Sequence, residues 1–201
     1  MKRTKVIGAL ALAMLCGCRE QDAMVPPVPL DVLQEGDLAL RRGSSVASNI
    51  VVMLDSGATY SHVGIVARRA GEWIVVHAVP DERDDAGVDT IKADPVTTFF
   101  LPSRAQKGAI ARLDVDSATR RAASRMALAL VAKHKEFDHD YDWDDTTRLY
   151  CTQLVQQCYA AAGIDVAQQR RQRVDAPGFH GWYVFPSDLM AHPKMKIVYE
   201  Y

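Results

Sequence analysis

Leu149-Tyr150-Cys151-Thr152-Gln153-Leu154-Val155-Gln156-Gln157-Cys158-Tyr159-Ala160-Ala161-Ala162-Gly163 is the stretch that decides the fold. Leu154, Val155, Cys158 and Ala162 recur at i, i+1, i+4 and i+8, the spacing of one apolar face of an amphipathic helix. Gly163 can adopt the left-handed conformation that ends a helix. Asp142, Asp144 and Asp145 place negative charge ahead of the start, where the helix dipole favours it. Cys151 falls in the first turn. A sulfur there meets unpaired backbone N–H groups and the positive end of the dipole, which lowers a thiol pKa and makes a nucleophile at neutral pH. A cysteine is also at home as a small buried hydrophobe, so Cys151 needs a base before it reads as catalytic. Cys158, on the same helix, reads as core.

Upstream of this helix the pattern is of short strands and helices. Gly36 to Arg42 reads as a strand after a turn. Ser44 to Asp55 has helical apolar spacing through Val46, Ile50 and Leu54, with Ser44 or Ser45 as its cap and Ser56-Gly57 as its end. Tyr60 to Ala67 and Glu72 to Val79 are two strands joined by a tight turn over Arg68 to Gly71, a hairpin. Asp81 to Gly87 reads as a charged loop and Val88 to Lys92 as a short strand. Asp94-Pro95 opens a short helix running to Leu101, with proline at its first position. Gly108 to Val115 is another strand. Asp116-Ser117 caps a long helix from Ala118 to about His134. After the cysteine helix, Pro186-Ser187-Asp188-Leu189-Met190 begins a helix that Ser187 could cap, and Met195 to Tyr201 is a closing strand. This order predicts an α+β domain, a small antiparallel sheet flanked by helices, rather than a parallel sheet.

The hairpin carries the bases. His62 stands at the start of one strand and His77 near the end of the next, and antiparallel pairing brings those ends together. Which faces the two rings share is left open by the turn. If they share one, His62 can take a proton from Cys151 while His77 holds the His62 tautomer.

The N-terminal segment is of a different kind. Lys2, Arg3 and Lys5 precede an apolar run from Val6 to Leu15, of secretory-signal length and too short to span a bilayer comfortably. Leu15-Cys16-Gly17-Cys18 follows and resembles the bacterial lipobox, which implies cleavage before Cys18 and lipidation of its sulfur. Residues 1–17 are therefore read as a lipoprotein signal peptide. Residues 18–34, with Val25-Pro26-Pro27-Val28-Pro29, form a Pro-rich tether. Residues 35–201 are the catalytic domain, in a protein facing the periplasm or exterior of a bacterial envelope. Of four cysteines, this leaves Cys151 and Cys158 as thiols. Seven helical residues separate them by about 10 Å, too far for a disulfide.

Charge excludes some partners. With 24 basic and 25 acidic residues and a net charge of −1, the chain has no basic patch for nucleic acid. Arg170-Arg171-Gln172-Arg173 reads as a solvated loop. Asp138 to Asp145 faintly echoes a calcium loop but has Trp143 and Leu149 where glycine and glutamate are required. His134 and His139 lack partners at zinc-ligand spacing. No metal and no cofactor are expected.

Ser61-His62-Val63-Gly64-Ile65-Val66, preceded by Gly36-Asp37-Leu38 and followed by Tyr150-Cys151-Thr152-Gln153-Leu154-Val155, resembles the circularly permuted papain-like family typified by YiiX and YaeF, relatives of the NlpC-type cell-wall peptidases. Tyr141-Asp142 and Pro186-Ser187-Asp188-Leu189 extend the likeness over nearly the whole domain. The resemblance implies a papain-like α+β fold with histidine before cysteine in the chain, Cys151 as nucleophile, His62 as general base and His77 as the orienting third member. Two departures stand out: His77-Ala78 replaces a Glu-Ala pair usual in the family, and Gln153 stands where glutamate is usual, with no role assigned to it. A histidine at 77 must be neutral and accept a hydrogen bond from His62, which weakens activity in acid. Tyr60 and Tyr150 are candidates for substrate contact. Tyr60 is also a candidate second oxyanion donor beside the Cys151 N–H, or else simply an aromatic core residue.

The function expected is hydrolysis of an amide, in a peptidoglycan peptide or an acylated amine, through a thioester. Two alternatives remain. One is lipid-directed acyl transfer or lipolysis, since the His-His-Cys set resembles that of the lecithin:retinol acyltransferase group, although Tyr-Cys-Thr-Gln-Leu differs from that group's cysteine motif. The other is a non-catalytic binding module. The membrane is reached through the lipid anchor, and a monomer is favoured.

Overall fold

The structure, a computed structural model, describes residues 28–56, 58–80 and 87–201. The signal peptide, Cys18, most of the tether and residues 81–86 of the charged loop lie outside them. Among the described residues no helix is long and apolar enough to cross a membrane.

Among the described residues eight strands and five α-helices follow one another as β1 (Leu38–Arg42), α1 (Val46–Leu54), β2 (His62–Arg69), β3 (Glu72–His77), β4 (Lys92–Pro95), α2 (Val96–Phe99), β5 (Lys107–Leu113), α3 (Ser117–Ala132), α4 (Cys151–Ala160), β6 (Gln172–Ala176), β7 (Phe179–Tyr183), α5 (Pro186–Met190) and β8 (Met195–Glu200). Six strands form one antiparallel sheet in the order β4-β3-β2-β1-β5-β8, and β6 and β7 form a separate hairpin. The α+β expectation holds.

Side chains alternate across the sheet, and both faces are covered. Leu38, Leu40, Val63, Ile65 and Val76 pack with Leu130 of α3 and Leu154, Val155, Cys158 and Tyr159 of α4. Ala39, Val66, Val75 and Ile110 lie on the opposite side with Phe99 and Phe100. This double cover makes β2 buried along its first six residues, a run of the kind that two covered faces produce. Val28 and Leu33 are buried in the second cluster, so the chain already packs on the domain at these two positions.

Several boundaries move for local reasons. Ser45 caps α1, its hydroxyl accepting from the Ser48 N–H at 3.1 Å, and Asp116 caps α3 through the Thr119 N–H at 2.9 Å. The strand expected at 88–92 is displaced to Lys92–Pro95. Thr90 makes only an isolated bridge to Glu136, whereas residues 92–95 pair with β3. Asp94 and Pro95 are thus strand residues, and the helix they were expected to open starts at Val96. Ser187 does not cap α5. The cap is Phe185, whose N–H donates to Asp188 Oδ2 at 2.8 Å. The basic run at 170–173 is only partly a loop, because Gln172 and Arg173 begin β6. The signal for that hairpin is Ala176-Pro177-Gly178-Phe179: proline then glycine is the signature of a tight turn, and Gly178 has φ +82°.

Candidate active site

Strand register settles the histidine question. Gly64 pairs with His77 across β2 and β3, so His62, two residues along, projects on the same face as His77, one diagonal step away. Gly64 makes the approach possible. A Cβ there would stand 2.5 Å from Val75 Cγ1, 2.7 Å from the Val76 carbonyl oxygen and 2.9 Å from His77 Cβ. With none, the rings meet: His62 Nε2 lies 3.0 Å from His77 Nδ1. Phe99 steadies both, stacked on His62 at 5.7 Å and edge-on to His77 at 5.1 Å between centroids.

The relay has a member that the sequence did not reveal. His77 Nε2 lies 3.3 Å from Asp94 Oδ2, which also receives Arg104 Nη1 at 3.0 Å. The hydrogen bond from His77 and the Arg104 charge hold the Asp94 carboxyl below its ordinary range, so it is ionised and can only accept. The proton on His77 therefore sits on Nε2. Its Nδ1 is bare and accepts from His62 Nε2–H, and His62 Nδ1 is left as the nitrogen able to take a proton. Asp94 thus fixes the tautomer in which a neutral His77 accepts from His62 Nε2–H. Burial lowers the His62 pKa well below its ordinary 6.5, helped by the nearby Arg41 charge and by His77. Arg41, opposite His62 in the β1–β2 register, donates from Nη1 to the Phe99 carbonyl at 2.9 Å and lies 4.4 Å over the Phe99 ring.

Cys151 is the first residue of α4 and is partly exposed. The expected depression of its pKa is overturned: burial of the sulfur pushes it up to about 11, and the backbone N–H groups of Val63, Thr152 and Cys151 only moderate the rise. A thiol near 11 beside an imidazole below 6.5 is a neutral pair, not a standing thiolate–imidazolium pair. Cys151 and His62 line one cavity of about 350 Å³ with Arg41, Ser44, Ser48 and Ser61. No hydrogen bond joins Cys151 to His62 among the described residues, and such contacts commonly tighten only with substrate bound.

Gln153 proves to be a support. Its Nε2 reaches the carbonyls of Asp142, Trp143 and Asp145 at 3.2, 3.1 and 2.7 Å, and its Oε1 accepts from the Tyr150 N–H at 3.4 Å. It ties the Asp-rich loop to the helix start. In that loop Asp138 accepts from the N–H groups of Asp140 and Asp142, and Arg148 pairs with Asp140 at 2.7 Å. Among the described residues no three of His, Cys, Asp and Glu gather as a metal-binding group.

The two tyrosines part company. Tyr150 lines the cavity beside Cys151, and its hydroxyl accepts from the Val184 N–H at 3.4 Å. Tyr60 is buried in the core with its hydroxyl 3.4 Å from Glu200 Oε2, and it lines neither that cavity nor the one that adjoins it at Cys151. The structure thus favours the core alternative for Tyr60 and corrects its candidacy as substrate contact or oxyanion donor.

Comparisons with known proteins bear on the family and the fold. The family model described as permuted papain-like amidase enzyme, YaeF/YiiX, C92 family, matches residues 32–199. A crystal structure described as metalloprotein YiiX from Escherichia coli O157:H7 superposes with a TM-score of 0.67 at 19% identity, over 84% of this chain and 97% of that one. No curated protein sequence matches. A cysteine at a helix start, two histidines on the strands before it and a family match over residues 32–199 lead to one conclusion: the chain belongs to the permuted papain-like amidases of the YaeF/YiiX type, the C92 family of cysteine peptidases.

Proposed function

We propose that this cysteine hydrolase is a lipid-anchored enzyme of the bacterial envelope that cleaves an amide bond, in a peptidoglycan peptide or an N-acyl amine, through a thioester on Cys151. The observation that carries the catalytic assignment is the directed chain Asp94–His77–His62, which leaves His62 Nδ1 as the proton acceptor of a residue that lines the same cavity as Cys151. The lipobox ending at Cys18 supports the anchor and the location.

The neutral resting pair sets the mechanism. As the Cys151 sulfur attacks the carbonyl, His62 Nδ1 takes the thiol proton, so the thiolate forms only during attack. The resulting imidazolium donates through Nε2–H to His77, whose own proton is held by the Asp94 carboxylate. The backbone N–H of Cys151 receives the oxyanion. His62 then protonates the departing amine. Water attacks the thioester with His62 as base, releasing the acid and restoring the thiol. Tyr150 contacts substrate from the cavity wall. The reaction calls for no cofactor and no second protomer; the enzyme works as a monomer on peptide or acylated-amine substrates, and nucleic acid is not a partner.

The test is intact-mass detection of an acyl adduct on Cys151 after mixing with p-nitrophenyl esters and peptide amides. A transient adduct that His62→Ala abolishes supports the assignment; no adduct from any of them points to a binding module. An adduct that passes to added amine or alcohol faster than to water indicates acyl transfer. Palmitate labelling in cells, lost in Cys18→Ser, tests the anchor.

A further inference from the structure

A second cavity, of about 130 Å³, adjoins the first at Cys151. Ile50, Leu54, Phe179, Val184, Phe185 and Pro186 form most of its apolar wall, and Tyr150 and Cys151 belong to both cavities. Four elements contribute to it: α1, the start of α4, β7 and the start of α5. His62 lines only the first cavity.

That asymmetry orients the substrate. The group that protonates the departing nitrogen must face it, so the amine side of the scissile bond lies in the first cavity, where His62 is joined by Arg41, Ser44, Ser48 and Ser103. The acyl side is then left for the adjoining cavity, which Cys151 lines and His62 does not. We propose that the second cavity is an acyl-binding subsite, and that the substrate is an amide joining an apolar acyl group to a polar amine. This rests on the hydrolase reading above and narrows it toward N-acyl amines. A cavity of this volume with aliphatic and aromatic walls is of the size that takes a benzene-sized group, so an acyl chain of about six carbons fills it. In the reaction the sulfur–acyl carbon bond forms and the carbon–nitrogen bond breaks. The thiol proton leaves with the amine, and water restores the thiol as the apolar acid departs.

The experiment uses the full-length protein in detergent with p-nitrophenyl acetate and p-nitrophenyl hexanoate, and reads the ratio of their acylation rate constants, which is insensitive to the folded fraction. The wild type is expected to favour hexanoate by at least about tenfold, and Ile50→Trp, which fills the subsite, to bring the ratio below about three. A wild-type ratio near one, or a preference that survives Ile50→Trp, overturns the acyl subsite while leaving the hydrolase standing. Failure of both esters to acylate Cys151 overturns the hydrolase reading itself, and the subsite with it.

Discussion

Two buried polar networks flank the cavities, and they are built on opposite plans. The relay Arg104–Asp94–His77–His62 is a line with one end loose, each link fixing the proton of the next and the last leaving a bare nitrogen. The other network is a knot. Asp55, at the end of α1, accepts from the Ser187 hydroxyl, from the Ser187 N–H at 3.3 Å and from Gln172 Nε2 at 3.0 Å, while Gln172 also reaches Asp188 at 3.2 Å. Its bonds close on themselves and tie α1, β6 and α5 together around the apolar cavity. A line with a loose end can move a proton in and out; a knot holds walls still. A buried aspartate serves chemistry in one place and architecture in the other, and the difference is whether a hydrogen-bonding position is left over.

The largest effect comes from removing what the line serves. Cys151→Ala is expected to abolish hydrolysis, by at least about 10⁴-fold, with an unchanged melting temperature; retained turnover in a steady-state assay would remove Cys151 from the chemistry. Cutting the line further back costs less. Asp94→Asn frees the His77 tautomer and is expected to lower kcat/KM by roughly tenfold to a hundredfold, with a changed pH–rate profile, whereas His77→Glu retains part of the activity. If Asp94→Asn only lowers stability and leaves the profile alone, the line ends at His77.

The two networks should also answer acid with opposite signs. His62 has a folded pKa below its unfolded 6.5, so the unfolded chain binds more protons in that window and stability falls as pH drops below about 6.5. Activity follows the folded value and persists below 6.5 until His62 itself is protonated. Asp55 is raised above its ordinary 3.8, chiefly by burial. Its contribution is full below about 3.8 and is lost as pH rises through the folded value. Urea unfolding across pH, in wild type and Asp55→Asn, separates the two: the variant is expected to lose the Asp55 part and keep the decline below 6.5. Asp55→Ala is expected to cost about 1–3 kcal/mol without changing the pH–rate profile; a shifted profile would merge the networks. The smallest effect is Cys158→Ala, about 1 kcal/mol of lost packing by the same unfolding assay, since that thiol is buried in the core with no hydrogen-bonding task.

What could be read along the chain was what lies in local pattern. The cysteine helix, the β2–β3 hairpin, the helix caps at 45 and 116 and the family motifs all sit within short windows. Asp94 escaped because an Asp-Pro before an apolar turn is an ordinary helix opening. Only the β3–β4 register, which pairs Val75 with Asp94 and His77 with Lys92, sets its carboxylate on the His77 face. The Cys151 thiol departs from the sequence expectation for a related reason. The dipole of a helix is visible in sequence, but the burial of the sulfur depends on segments far away in the chain. Gln153 had no assigned role because its three carbonyl partners are defined only once the loop is folded.

Gly64 carries a consequence in terms of mutational descent. Every replacement there adds at least a methyl group, and one of the atoms in its way is the Val76 carbonyl, which belongs to the sheet itself and does not vary with side-chain identity. A lineage drifting away from this His-His pairing therefore has no passage through position 64. Its open step is at 77, where a carboxylate can replace the imidazole without disturbing the strand that brings His62 to the cavity.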